Sequence, residues 1–177
     1  DACALLLSNP GNLREHELID SVLALLRKVA ATHRAYIFEN REDPDEGLYM
    51  EQTHEVCAPG VPPEIDNPAL SRLPYRNGYE RWRRELAQGH CIQGHVTDFP
   101  PEERPLLESQ NIVSLLAIPV HGGDVWRGFI GFDWLGTPRA WDSHDVRLLE
   151  TAADVIGGFL HAADLRASLR QERDRYE

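Results

Sequence analysis

His90, Cys91 and His95 are the residues of this chain whose types and spacing come nearest to chemistry. Imidazole and thiolate bind zinc, copper or haem iron, and a thiolate beside a base is a redox nucleophile. A structural zinc site needs about four ligands, and this segment offers three. On a strand Cys91 and His95 share a face, whereas His90 points the other way. A metal site is therefore not expected, and neither is a nucleophile: the histidine adjacent to Cys91, His90, points to the other face of the strand. Cys3, Cys57 and Cys91 are an odd, widely spaced set that gives neither a disulfide framework nor a zinc pattern, which suits a reducing cytoplasm. The chain also lacks a Gly-rich phosphate loop, a Gly-x-Ser-x-Gly elbow and a His-Glu-x-x-His helix. No catalytic residue is expected, and a Cys91-dependent redox enzyme is the last of three readings weighed below.

These residues need elements to hold them. Leu18, Val22, Leu25 and Val29 recur at helical spacing, and Ile19, Leu23, Leu26 and Ala30 repeat it one residue on, after a turn cluster at Asn9-Pro10-Gly11-Asn12. Two adjacent apolar stripes give this helix two packing surfaces, one for a sheet and one for a partner. Ala35 to Arg41 reads as a strand, and Leu48 to Ala58 as its hairpin partner. In that second strand Tyr49, Glu51, Thr53 and Glu55 alternate with Met50, Gln52, His54 and Val56, polar enough on both sides to suggest a sheet edge. Pro59 to Pro74 is irregular and suited to a mobile cover. Tyr79, Trp82, Arg83 and Leu86 lie on a short helix ended by Gly89. Cys91 to Val96 suits a third strand, and Phe99 to Asn111 a helix with Pro101 in its first turn.

Ile112 to Val120 and Val125 to Trp134 are nearly unbroken apolar strands joined at Gly122-Gly123-Asp124, and such strands imply cover on both sheet faces. Asp142 to Asp145 opens the last helix, in which Leu149, Ala153, Ile156, Leu160 and Ala163 form one stripe. Val155, Ala162, Leu165, Leu169 and Tyr176 form a neighbouring one, and its continuation past Ala163 suggests a coiled-coil exit.

With 177 residues, 42% hydrophobic, the chain suits one domain with helical extensions. A net charge of −11, with Lys28 the only lysine, argues against nucleic acid or anionic membrane as partner. No apolar run approaches the roughly 20 residues that span a bilayer. The ends, Asp1 without an initiator methionine and a helical pattern still running at Glu177, suggest a piece of a larger protein.

The order from Trp82 to Asp133 resembles the GAF domain of bacterial sensor kinases and cyclic-dinucleotide enzymes. It runs Trp82, Glu85-Leu86, Gly89, then Val96 to Arg104, then Ser114 to Val120, then Trp126-Arg127-Gly128-Phe129-Ile130-Gly131-Phe132-Asp133. The likeness extends over Leu18 to Leu160. It implies an α+β fold of GAF/PAS type: a central antiparallel sheet of five or six strands, helices on both faces and long terminal helices. Residues 1–12 would be a flank, 13–163 the sensor domain, and 164–177 the start of a linker to an output domain.

In such domains a ligand lies over the sheet, under the Pro59–Pro74 loop and the helices of Trp82 and Leu106. The resemblance points to Tyr79, Trp82, Phe99, Ser114, Phe132 and Asp133 as its wall. Trp82 and Phe99 could equally plug the core, and Asp133 could be a turn residue. No cofactor is expected, and the small molecule is unidentified. A bilin would need a cysteine beside a histidine in the pocket helix, but Cys91 follows His90 near a strand. The Asn-Lys-Phe-Asp-Glu signature of cyclic-nucleotide GAF domains is absent, and the cysteines do not match those of the sulfoxide-reducing members.

The expected protein is a non-catalytic cytoplasmic sensor that homodimerises through its N- and C-terminal helices and drives a linked output domain. The alternative is a dimerisation module without a ligand, its interior filled by its own side chains. A cavity of roughly 300 Å³ with convergent polar groups would favour the sensor, and a collapsed aromatic interior the module.

Overall fold

The computed structural model describes residues 10–176, with side chains described from residue 14 to residue 176. Cys3, Asn9 and most of the 1–12 flank lie outside them. Helix α1 spans Pro10–Ala30, β1 Arg34–Asp43, β2 Gly47–Cys57, β3 Leu73–Pro74, α2 Glu80–Ala87 and β4 Ile92–His95. Then come α3, Arg104–Ser109; β5, Ser114–Gly122; β6, Val125–Trp134; and α4, Ser143–Tyr176. The strands form one six-stranded sheet in the order β3-β2-β1-β6-β5-β4, antiparallel at every pairing.

The apolar strands are covered on both faces. Leu115, Ala117 and Phe129 belong to a core under α2 and α3. Leu116, Ile118, Ile130 and Phe132 belong to a second core, shared with Ile19 and Leu23 of α1 and Leu149, Ala153 and Ile156 of α4. Each strand thus feeds two cores by simple alternation. Gly131 faces Tyr36 across the β1–β6 ladder, and a Cβ there would stand 2.0 Å from the tyrosine ring. Gly157 lets α4 press on the β5 end, since its Cβ would stand 1.9 Å from the His121 carbonyl oxygen.

The structure differs from the sequence expectations at four places. Pro10-Gly11-Asn12 is the first turn of α1 rather than a turn before it. β2 is not the sheet edge, because Leu73 and Pro74 pair with Met50 and Tyr49. α3 starts at Arg104, so Pro105 and not Pro101 occupies its first turn, and Val96–Asp98 forms a 3-10 turn. Finally, β1 and β2 shift register between Ile37 and Phe38: Ile37 pairs with His54 and Phe38 with Gln52, leaving Thr53 as the extra residue. That bulge turns Gln52 and His54, two apart, to opposite faces. Phe38 lies in the core under α2 and Ile37 in the core under α1. α4 is one continuous helix of 34 residues through positions 163 and 164.

Candidate functional site

A cavity of about 30 Å³ lies between the sheet and the layer made by α2, α3 and the 59–74 segment. Its floor is Tyr36, Phe38, Met50, Gln52 and Phe129. Its roof is Tyr79 and Trp82 from α2 and its approach, Leu106, Leu107 and Gln110 from α3 and its end, and Leu70 and Leu73 from the cover segment. By that measure there is room for about two waters. Aromatic rings occupy the rest: Trp82 sits edge-on to Tyr79 at 5.7 Å, Phe129 at 5.5 Å and Phe99 at 6.5 Å, and Phe38 stacks on Phe129 at 5.1 Å.

Two polar atoms on this wall, Trp82 Nε1 and Gln52 Oε1, are buried with no hydrogen-bond partner. One is a donor and the other an acceptor. Beside them, Gln110 Nε2 donates to the Leu106 carbonyl at 3.0 Å. Tyr36 connects the cavity to a buried polar corner, where its hydroxyl donates to Asp133 Oδ1 at 2.7 Å. Arg34, 1% exposed, donates from Nη1 to Asp133 Oδ2 at 3.4 Å, from Nη2 to the Gln110 carbonyl at 3.1 Å and from Nε to the Pro62 carbonyl at 3.2 Å. One guanidinium thereby braces the cover segment, the end of α3 and the sheet. Burial pushes the Asp133 carboxyl up to about 7, with the Tyr36 hydroxyl and the Arg34 guanidinium acting in the opposite direction.

Of the six residues expected on the wall, Tyr79 and Trp82 line the cavity. Phe99 stands behind Trp82, and Asp133 behind Tyr36. Ser114 and Phe132 do not line it. Phe132 is fully buried in the core beneath the terminal helices, and the Ser114 hydroxyl accepts a hydrogen bond from the Arg139 amide at 3.1 Å. Strand alternation is the reason: neighbours such as Phe132 and Asp133 cannot share a face. The same alternation, counted back from Asp133, leads to Phe129, which does line the cavity. Tyr36, Met50, Gln52 and Gln110 were not anticipated, nor was Arg34.

The His90, Cys91, His95 group does not converge. His90 Nδ1 lies 3.1 Å from Glu85 Oε2 beside α2, while the Cys91 thiol donates to Glu150 Oε1 on α4 at 3.3 Å. Burial, reinforced by the Glu150 carboxylate, pushes the Cys91 thiol up to about 12. Cys57 is raised to about 11, mainly by burial. With Cys3 and Cys57 replaced by serine, iodoacetamide should alkylate Cys91 only slowly at pH 7 and faster as pH rises above 10. Rapid reaction at pH 7 that His90→Ala abolishes would instead identify an activated thiol.

Residues 14–160 match the GAF domain family model, and the chain belongs to the GAF family. Among characterised proteins, it is 38% identical over 153 residues to the methanogenesis regulatory histidine kinase FilI of Methanothrix harundinacea (strain 6Ac). That match covers 86% of this chain and 17% of FilI, so the chain spans about a sixth of its relative's length. Among solved structures it is similar to the photoproduct state of GAF3 from Slr1393 of Synechocystis sp. PCC6803, with a TM-score of 0.72, 21% identity, and 88% of this chain and 98% of that one covered. It is also similar to the blue-light absorbing form of the Thermosynechococcus elongatus PixJ GAF domain, with a TM-score of 0.70, 19% identity, and coverage of 92% and 97%. At these identities the likeness is one of fold. Among the described residues, neither cysteine lines the cavity over the sheet.

Proposed function

We propose that this domain is a non-catalytic sensor, and that a small, largely apolar molecule enters the cavity over the sheet to meet Trp82 Nε1–H and Gln52 Oε1. The observation that carries the reading is that unpaired donor and acceptor. Burying either atom unpaired costs about 1–3 kcal/mol, and a ligand with one acceptor and one donor removes both costs. A molecule larger than about two waters needs the wall to move, and Leu70, Leu73 and Leu106 line it from the cover segment and the short α3. A molecule that binds only the opened arrangement shifts the domain toward it by its differential affinity.

The signal would leave through α1 and α4 in a homodimer. Leu18, Leu25 and Val29 on α1 and Val155, Leu165 and Leu169 on α4 are all more than half exposed. An apolar groove between the two helices, lined by Leu18, Ile19, Val22, Val155, Ile156 and Phe159, continues that surface. The kinship with one part of a histidine kinase supports a covalently linked output domain, kinase or otherwise, in a cytoplasmic signalling protein. Among the described residues no helix is long and apolar enough to cross a membrane.

The cavity, about 30 Å³ and filled by aromatic rings, falls short of the roughly 300 Å³ of a ligand pocket and favours a second reading, a dimerisation module without a ligand. Native mass spectrometry of protein purified from cells separates the two. The sensor reading expects a dimer carrying a small bound mass that is lost on denaturation. A dimer that stays unliganded through metabolite screening leaves the module. Leu165→Glu with Leu169→Glu should shift the dimer toward monomer without changing the far-UV circular dichroism. A wild-type monomer at high concentration would remove both readings.

A further inference from the structure

The bulge at Thr53 sends His54 to the face of the sheet covered by α1, where it meets two residues of that helix. The rings of His54 and His16 stack with centroids 4.2 Å apart and planes 25° apart. His16 Nε2 lies 3.5 Å from Asp20 Oδ2, one helical turn along. One ligand atom from each of His16, Asp20 and His54 falls within 4.8 Å of the others, the one such group of His, Cys, Asp or Glu among the described residues.

We infer that His16, Asp20 and His54 form a binding site for a divalent transition metal ion of the zinc, cobalt and nickel type, which would pin α1 to β2. Residues four apart share one helix face, so His16 and Asp20 form a preset pair, and β2 supplies the third ligand. In a tetrahedral site with bonds near 2.0–2.1 Å, ligand atoms stand about 3.3 Å apart. The His16 to Asp20 spacing already fits at 3.5 Å. The His16 ring, now stacked on His54, would turn on its partly exposed side chain so that both imidazole lone pairs meet at one point. Two histidines with one carboxylate leave a fourth position for water or a substrate atom. Here that position faces a groove of about 220 Å³ bounded by Glu15, Leu160, Ala163 and Asp164. Glu15 pairs with Arg166, and Asp164 with Arg127, so their charges are already engaged.

An independent observation points to a ligand. His54 is 4% exposed, and its Nε2 has no partner, as is true of the buried Asp20 Oδ1. Thr53 Oγ1 lies 2.9 Å from His54 Nδ1 and 3.5 Å from the Ile37 carbonyl. In the tautomer in which Nδ1–H donates to Thr53 and the Thr53 hydroxyl to Ile37, the lone pair is on Nε2. A hydrogen bond at the far nitrogen of this kind orients a metal-binding imidazole.

Untagged, chelator-stripped protein titrated with Co²⁺ should show one equivalent bound with the visible absorption of a low-coordinate site, and Zn²⁺ should displace it. His16→Ala and Asp20→Asn, at partly exposed positions, should keep the fold and weaken binding by more than the roughly 10–100-fold that outer-shell partners are worth. Thr53→Val should fall within that 10–100-fold range, and His144→Ala, on an exposed turn of α4, should change nothing. Zn²⁺ should raise the melting temperature of the wild type but not of His16→Ala. No stoichiometric binding, or equal affinity in wild type, His16→Ala and Asp20→Asn, overturns the site.

Discussion

Trp82→Ala is expected to cost about 3–5 kcal/mol, the range for deleting a large aromatic from a packed core. The indole is 3% exposed and wedged edge-on against Tyr79, Phe99 and Phe129, so the surrounding rings cannot collapse into its place without leaving their own contacts. For a chain of this size the melting temperature should drop by about 10 °C. Trp82→Phe gives the sharper result. It keeps an aromatic ring in the wedge and deletes the unpaired Nε1–H, whose burial costs about 1–3 kcal/mol, so in unliganded protein it should lose much less than alanine does. If a small molecule co-purifies, Trp82→Phe should release it while the fold survives. Urea denaturation of both variants decides: an alanine variant less than 1 kcal/mol below wild type would show that Trp82 is a compliant wall and not a plug.

Arg34→Met should be comparably damaging at alkaline pH, at about 3–5 kcal/mol, because it strips a buried carboxylate of its cation. Arg34 and Asp133 are each 1% exposed, and the Gln110 and Pro62 carbonyls lose a donor as well. The loss should depend on pH in a stated direction. Asp133 is raised from 3.8 to about 7, so the stability tied to its proton is fully present below about pH 4 and disappears as pH rises through 7. Removing Arg34, which acts to lower that value, moves the carboxyl still higher. At pH 5 Asp133 is then neutral in both proteins and the substitution removes mainly hydrogen bonds. At pH 8 the variant must either bury a lone carboxylate or take up a proton. Chemical denaturation at the two pH values should show the larger loss at pH 8, and equal losses would refute the assignment.

What could be read in the sequence was whatever repeats. The β5–β6 hairpin and both terminal helices declare themselves through long apolar patterns and turn residues, and the structure places them as those patterns require. β3 is two residues long, too short to hold a period, and became legible only as the partner of Met50 and Tyr49. The Thr53 bulge is a property of the β1–β2 pairing, so neither strand alone announces it, and Met50, Gln52 and His54 read as one face when they are not. In the cavity, Tyr79 and Trp82 followed from the order of motifs around α2. Phe132 did not, because the resemblance locates the central strand but not which of its alternating residues faces the cavity. Arg34 went unnoticed because a lone arginine at a strand start looks like a solvated flank; its burial depends on partners 28 and 99 residues away.

The unbroken course of α4 has a mechanical meaning. Leu149 to Leu160 are gripped by the sheet, while the 16 residues from there to Tyr176 stand largely clear of it and extend about 24 Å. A helix without proline or bulge behaves as a stiff rod over that length. The gripped part is therefore the short arm of a lever: tilting it by about 10° carries the far end through about 4 Å, close to three residues' rise. On the proposed function, a small tilt of the gripped part would therefore appear at the tip of α4 as a movement as large as a side chain.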